Sequence, residues 1–428
     1  MTTTEMFTDF LAKLKIDNAA SITSKYEEIT SALNKKFRDT ESKTANSLQV
    51  GSYGRWTGIK GISDLDMLYI MPASKWNDYK DGKQSKLLDD TKNAISARYP
   101  RTTVKKDRLV VQVIYSGFMV EVQPVFEQDD GSFKYPDTYN DGSWKITKPR
   151  EEIKAMKEFV DQKNKNLRKL CKMARAWKNK SGVGMGGLLI DTLAYNFLKS
   201  SSDYDNRSTA YYDWMCRDFF KYLSEEPTKD YYLALGSNQR VNVKANFQRK
   251  AKVAYEDSLK AIEAGESSSA HKKWKKIFGR PFPAAAIQES KSSAYNYRNT
   301  EQFIEDSYTV DIRYNLTLEC EVSQNGFREA LLRTMLASKL KLQAKKKLKF
   351  YVANINVPGD FILKWKVLNQ GTEAERRDCI RGDIVVDKGF RNKEEKTDFN
   401  GEHIVECYAI QNGVVVAKDD SIGGKNGH

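Results

Sequence analysis

The chain has 428 residues, 40% of them apolar and 30% charged, with a formal net charge of +14 at pH 7. That length holds two or three domains at roughly 100–200 residues each, and a mean hydropathy of -0.65 with no run of about 18 apolar residues excludes a helical membrane span. Five cysteines without a C-x-x-C pair and three histidines argue against a disulfide framework, a zinc knuckle or a histidine-rich metal site. The excess of Lys and Arg suits a polyanionic partner, nucleotide phosphates and nucleic acid alike, and equally a surface that is merely soluble.

The first residues lack a basic segment followed by an apolar one, so no signal peptide is read there and a soluble, intracellular protein is expected. Residues 5–16 and 19–39 have helical periodicity; in the second, Ile22, Tyr26, Ile29, Leu33 and Phe37 recur three or four apart and predict a core-facing helix. A glycine-rich turn, Gly51-Ser52-Tyr53-Gly54, follows, and then Asp64-Leu65-Asp66 leads into the apolar run Met67–Met71. A polar helix is predicted near 84–98, then two strands, 109–115 and 118–126, joined by a two-residue hairpin turn at Ser116-Gly117.

From 151 to about 285 the texture is helical, over 151–179, 186–199, 211–223, 246–264 and 268–278. Lys169, Lys172, Arg175 and Lys178 recur at three-residue steps among Leu170, Met173 and Trp177 and read as a basic stripe on one helix, either a solvated face or a surface for phosphate oxygens. Residues 290–300 read as a polar linker. A β-rich region follows, with strands over 308–322, 348–356, 361–368, 380–387, 402–410 and 413–417, a helix over 326–340, and a disordered tail from Ser421. The lysines at 339, 341, 345, 346, 347 and 349 read as a solvated face, with nucleotide or nucleic-acid contact as the second reading. The overall class is α+β.

The chemistry concentrates between Gln49 and Pro72. Side chains alternate along a strand, so Asp64 and Asp66 share a face. Two adjacent carboxylates repel and do not both stay ionised without a cation, and hard divalent ions take carboxylate oxygens together with substrate phosphates. A metal-dependent nucleotidyl-transfer site is therefore expected, against the plainer reading of Ser63-Asp64 as a turn or cap. Glu121 interrupts an otherwise apolar strand, where a carboxylate is costly unless paired or metal-bound; it reads as a third metal ligand, or as an edge residue facing water.

These residues resemble the DNA-polymerase-β-like nucleotidyltransferases, through Gly51-Ser52, eleven intervening residues, Asp64-Leu65-Asp66 and a later strand carboxylate before Gln123-Pro124-Val125-Phe126. Within them the chain is most similar to the cyclic-GMP-AMP-synthase and oligoadenylate-synthase branch, the bacterial CD-NTases. The helical part adds Lys172-Met-Ala-Arg175-Ala-Trp177-Lys178 with Gly187-Leu-Leu-Ile-Asp191-Thr-Leu193, and Trp274-x-x-Ile277-Phe278-Gly279 before Pro281-Phe282-Pro283. The β-rich region resembles the AGS-C sensor module through Asn325-Gly326-Phe327-Arg328, Trp365-Lys366-Val367-x-Asn369-x-Gly371-x-Glu373-Ala374, Arg381-Gly382 and Gly401-x-His403-x-Val405-Glu406-Cys407-Tyr408. The chain departs from the branch in having Glu121 where the third acid is commonly Asp, Arg175 where Lys is frequent, and Asp191 in place of Glu.

The resemblance implies a polymerase-β-like mixed-sheet catalytic domain over 1–150, a helical oligoadenylate-synthase-like domain over 151–290 and an AGS-C-like sensor domain over 300–420. It implies Asp64, Asp66 and Glu121 as catalytic metal ligands for two Mg²⁺ ions, with Mn²⁺ able to substitute, and Gly51, Ser52, Lys172, Arg175 and Lys178 as phosphate contacts. The expected reaction joins NTPs, ATP among them, into a cyclic di- or trinucleotide in the bacterial cytoplasm. The product would activate an anti-phage effector, and the C-terminal domain would hold a ligand or regulator. Two other functions stay open: a template-independent transferase acting on an RNA or protein acceptor, and a non-catalytic nucleotide or nucleic-acid sensor. His403 reads as structural or as part of the sensor's ligand surface, Cys407 lacks a nucleophile constellation, and Trp365 and Phe361 read as sensor core.

Overall fold

The computed structural model describes residues 1–285, 301–323, 329–338, 346–370, 382–396 and 402–423. The expected linker at 290–300, the Asn325–Arg328, Gly371–Ala374, Arg381 and Gly401 matches, Lys339, Lys341 and Lys345, the side chain of His403 and the last five residues of the tail lie outside the described set. The chain divides into two compact units, Met1–Trp177 with Gly186–Ala285, and Lys178–Met185 with the described residues from Glu301 onward.

The first unit opens with helices α1 (Thr3–Lys13) and α2 (Ala19–Arg38). Thr2 and Glu5 close a capping box on α1, each side chain bonding the other's backbone N–H. The core of a mixed sheet follows: β1 (Ser47–Gln49), the one-turn helix α3 (Gly51–Gly54), β2 (Asp64–Ile70), helices α4 (Trp76–Tyr79) and α5 (Gln84–Arg98), β3 (Thr103–Lys106), β4 (Val111–Ile114) and β5 (Met119–Glu127). The strands order as β1-β2-β5-β4-β3, with β2 and β5 parallel and the β4–β5 hairpin antiparallel. A further hairpin, β6 (Phe133–Asp137) with β7 (Ser143–Thr147), extends β5; it is too short and mixed in character to show a period of two.

Alternation gives this sheet two faces. Leu65, Met67, Tyr69, Val111, Val113, Val120 and Val122 pack with Ile22, Ile29 and Leu33 of α2 and Leu87, Leu88 and Ile95 of α5 in one buried cluster. The opposite face carries Asp64, Asp66, Gln112, Glu121 and Gln123, all half-buried. Glu121 therefore sits on a central strand rather than an edge.

The helical part holds α6 (Pro149–Gln162), α7 (Leu167–Ser181), α8 (Gly187–Ser200), α9 (Tyr212–Glu225), the small hairpin β8 (Tyr231–Leu233) with β9 (Arg240–Asn242), α10 (Gln248–Glu263) and α11 (Ser268–Phe278). Periodicity predicts one helix over 151–179; the structure breaks it at 163–166, where buried Asn164 accepts from the Asn166 N–H at 2.8 Å and replaces a helical bond with a local turn. The N-terminal α1 docks by aromatic packing: Phe7 meets Trp274 at 5.3 Å and Phe282 at 5.5 Å, and Phe10 meets Phe278 at 4.7 Å.

The second unit is a pair of sheets. One orders β10 (Thr309–Val310), β18 (Val414–Gly423), β17 (Glu402–Gln411), β14 (Ile362–Gln370) and β15 (Ile384–Val386); the other β12 (Ala330–Leu331), β11 (Leu316–Ser323), β13 (Lys347–Ile355) and β16 (Asn392–Lys396), with α12 (Leu332–Ala337) after β12. Leu316, Cys320, Leu348, Phe350, Trp365, Val367, Val405, Cys407 and Val416 fill one core drawn from both sheets. Trp365 is core, its indole N–H donating to Asp387 Oδ1 at 2.8 Å. Burial pushes the Cys407 thiol up, out of the range of a nucleophile.

Two expectations change here and a third is kept. Within the described residues the helix expected over 326–340 shrinks to α12. The tail expected to be disordered from Ser421 instead continues β18 to Gly423, paired with His403–Val405. Lys347 and Lys349 are exposed and alternate with buried Leu348 and Phe350 on β13, a solvated strand face.

Lys178–Met185 is built into this second unit. Lys178 Nζ donates to Asp311 Oδ1 and to the Ile312 carbonyl, both at 2.6 Å, and Asn179 bonds the Val310 carbonyl at 2.9 Å and the Ile312 N–H at 3.0 Å. A Cβ on Gly182 would lie 2.3 Å from the Lys418 carbonyl oxygen, at a φ of +64° that glycine adopts without strain, and one on Gly184 would lie 2.9 Å from the Tyr314 carbonyl.

Candidate active site

Asp64 and Asp66 leave the same face of β2, and the parallel register places Glu121 of β5 directly beside Asp66. Carboxylate oxygens of Asp64, Asp66 and Glu121 lie within 4.8 Å of one another. The longer Glu121 side chain thus reaches the two aspartates. Ser63 Oγ donates to Asp64 Oδ1 at 3.0 Å, and Gln112, opposite Glu121 across the β4–β5 hairpin, donates from Nε2 to Glu121 Oε1 at 3.2 Å. The two-residue turn at Ser116-Gly117 fixes that register, so Gln112 was legible as a partner once the hairpin was read.

The Gly-Ser turn packs onto the same carboxylates. The Val50 N–H donates to the Asp66 carbonyl at 2.9 Å. A Cβ on Gly51 would lie 1.8 Å from Asp66 Oδ2, and Gly51 has φ +63°. Gly51 is therefore required twice, by conformation and by space. Gly51→Ala is expected to cost about 1–2 kcal/mol from the backbone alone, with the clash added, and to displace Asp66; a lower melting temperature is the measurement, and an unchanged one would refute it.

Behind the turn lies a buried charge network that local patterns do not reveal. Arg55 Nε donates to Asp191 Oδ2 at 2.9 Å and its NH1 to Glu152 Oε2 at 3.1 Å. Arg175 NH1 donates to Asp191 Oδ1 at 2.6 Å and NH2 to the Gly187 carbonyl at 3.0 Å; the Thr57 hydroxyl adds a third donor to Asp191 at 2.9 Å. Burial raises the Asp191 carboxyl, but the guanidiniums of Arg175 and Arg55 outweigh it and hold the group below its ordinary value. Glu152, with Arg55 as its cation, goes the other way: burial wins and raises it. Two cations offset the desolvation of a carboxylate here and one does not.

The basic stripe is not one surface. Helix turns hold 3.6 residues, so three-residue steps drift around the axis. Lys169 is exposed over the Tyr212 ring, Lys172 is half-buried, and Arg175 and Lys178 are buried on Asp191 and Asp311. Lys172 is the member whose charge meets other cations: its partial burial, then Arg168, Arg175 and Lys15, lower its ammonium below the ordinary lysine value. Such crowding of cations is favourable where an anion is bound.

A mixed sheet bearing paired aspartates and a neighbouring strand carboxylate beside a Gly-Ser turn resembles that of a polymerase-β-like nucleotidyltransferase. Residues 1–159 match the family model of the Second Messenger Oligonucleotide or Dinucleotide Synthetase domain, SMODS, and residues 298–423 match that of the Adenylyl/Guanylyl and SMODS C-terminal sensor domain, AGS_C. A probable cyclic nucleotide synthase of Bacillus cereus (strain VD146) is 21% identical over 274 residues, covering 55% of this chain and 81% of that relative. Among solved structures, CdnC of E. coli MS115-1 with ATP is similar at 17% identity and a TM-score of 0.48, covering 65% of this chain and 98% of that one. The apo form of Vibrio cholerae DncV is similar at 17% identity and a TM-score of 0.46, covering 55% and 69%. The chain thus carries a SMODS-type domain at its start and an AGS_C-type domain toward its end, and in this it is similar to the cyclic nucleotide synthases, the CD-NTase nucleotidyltransferases.

Among the described residues no helix is long and apolar enough to cross a membrane.

Proposed function

We propose that this chain is a divalent-metal-dependent synthase that joins nucleoside triphosphates, ATP among them, into a cyclic di- or trinucleotide second messenger for anti-phage signalling in the bacterial cytoplasm. The observation that carries the reading is the cluster of Asp64, Asp66 and Glu121 oxygens within 4.8 Å, with Gly51 against Asp66. An all-carboxylate donor set of this spacing fits hard oxygen-seeking ions such as Mg²⁺ or Mn²⁺. When bound, such ions supply charge neutralisation on the triphosphate and a lowered pKa for the attacking hydroxyl.

The protein's own part is positioning. Asp64, Asp66 and Glu121 would hold the ions, with Ser63 and Gln112 orienting Asp64 and Glu121 through the hydrogen bonds they donate. The Gly51-Ser52 turn would receive the phosphates, since a glycine backbone admits close approach of an anion to its N–H groups. Lys172 would meet the triphosphate from the helical part, while Arg175 would act by fixing Asp191 and, through it, Arg55 and Thr57. The AGS-C domain would take a ligand or regulator, and the product would act on a cyclic-nucleotide-responsive effector.

The test is to incubate the protein with each labelled NTP and with all four, with Mg²⁺ or Mn²⁺, and to treat the product with phosphatase before mass spectrometry. A small phosphatase-resistant cyclic product is expected. Label found only on an added RNA or protein acceptor would replace this reading with that of an acceptor transferase, and binding without turnover would favour a sensor.

A further inference from the structure

Trp56 is the outlier of the active-site turn. Its indole is 69% exposed, among the largest exposures of any apolar side chain in the first unit, and its backbone sits at φ +63°. Both features are unfavourable. A bulky L-residue in the left-handed region is strained, and an exposed indole forgoes the burial that is the ordinary use of tryptophan. Strain that persists in a well-held segment points to a use for the residue that bears it.

The segment is well held. Arg55, before Trp56, is buried on Asp191 and Glu152; Thr57, after it, is buried on Asp191. The Thr57 and Gly58 N–H groups both donate to the Ser52 carbonyl, at 2.9 and 3.0 Å, so the strand of chain carrying Trp56 folds back onto the Gly-Ser turn. The indole is thus presented from a rigid backbone fixed to Ser52.

The surroundings say what it meets. Arg168 donates to the Arg55 carbonyl at 3.3 Å, and the Lys60 N–H donates to the Leu14 carbonyl at 2.9 Å, which tie the start of α7 and the chain just after α1, next to Lys15, to the 55–60 loop. Both of those cations also bear on Lys172. An exposed aromatic ring on a loop that also holds Arg168 and is tied to the Gly-Ser turn suits a ligand with a flat π-face and an anionic tail, which is the chemistry of a nucleotide.

We propose that Trp56 stacks on the base of a bound nucleoside triphosphate and helps set which base the enzyme accepts. This rests on the nucleotidyl-transfer reading of the site. Stacking is strongest on purines, so Trp56 favours ATP and GTP over pyrimidine nucleotides.

Two measurements on the full chain test it. The first is product formation from each NTP with Mg²⁺ by wild type and by Trp56→Phe, Trp56→Ala and Trp56→Gly. The expected result is a KM for purine NTPs raised about tenfold in the Ala and Gly variants, the size of a lost base–aromatic stack, with kcat changed less and the Phe variant restoring most of the affinity. Trp56→Gly relieves the left-handed strain, so its melting temperature is expected to equal or exceed that of wild type, which separates lost binding from lost folding. The second is tryptophan fluorescence during titration with ATP and Mg²⁺: wild type is expected to quench and Trp56→Phe to lose most of that quench.

If wild type turns over NTPs while all three variants keep its KM, or if Trp56→Phe keeps the full quench, the stacking role is overturned and the nucleotidyl-transfer reading stands. If wild type neither turns over nor binds any NTP, both fall together.

Discussion

Replacing Asp66 with Asn, alone or together with Asp64→Asn, is expected to lower product formation by about 10²–10³-fold, the cost of removing one preorganised charge-stabilising group from a transfer site. The same variants are expected to behave oppositely in stability. Three carboxylates whose oxygens approach within 4.8 Å repel by about 1 kcal/mol per ionised pair at water-like dielectric and by about 3 kcal/mol at an effective dielectric near 20. Without added metal, the Asn variants therefore melt at or above the wild-type temperature. With Mg²⁺ at about a hundred times its Kd, wild type gains ~2.7 kcal/mol by mass action, and the double variant does not. Product yield that survives Asp64→Asn with Asp66→Asn, or an equal Mg²⁺-induced rise in melting temperature for both proteins, would remove these residues from the metal site.

The second large effect lies one layer behind. Asp191→Ala leaves Arg55 and Arg175 buried without the carboxylate they share, and breaking a buried ion pair from one side costs about 3–5 kcal/mol. A urea-unfolding midpoint shared with wild type would refute this. The pH dependence has a definite sign. The Asp191 carboxyl is held below 3.8 in the folded protein, so its contribution is complete above the unfolded value and is lost as pH falls through the folded one. Asp191→Asn removes that acid-side loss. Glu152 has the opposite sign, because burial raises it above 4.5: its penalty is present at neutral pH and is relieved as pH falls through the raised value. Glu152→Gln is accordingly expected to cost less at pH 7 than Asp191→Ala, and urea midpoints measured from pH 7 to pH 3 distinguish the two.

What local pattern can carry, it carried. A period of two places Asp64 and Asp66 on one face, the helix around Ile22–Phe37 follows from apolar spacing that the structure keeps as α2, and the polar helix expected near 84–98 is α5. The polar Glu121 in an apolar strand was visible as an anomaly; its position opposite Asp66 depends on a parallel register between strands separated by α5, which no short window contains. The network around Asp191 joins residues 134 and 136 positions apart, so its ends carry no mutual signal in sequence. Arg175 and Lys178 show the reverse case. Their spacing suggested a shared face, and tertiary partners on different elements divided them. The short strands β3, β6 and β7 were missed because five residues or fewer leave alternation too little length to register.

The placement of Lys178–Met185 has a practical meaning for how this protein can be taken apart. The match to the C-terminal sensor family begins at residue 298, yet the folded unit that contains it also takes in eight residues from more than a hundred positions earlier. A fragment cut at the family boundary would lack the ammonium that sits on Asp311, the asparagine that pairs with Val310 and Ile312, and the two glycines packed on Lys418 and Tyr314. The sensor is a discontinuous module, completed by the end of a helix that begins in the other unit. Ligand screens on the isolated C-terminal piece would therefore interrogate an unfinished fold, which the intact chain completes.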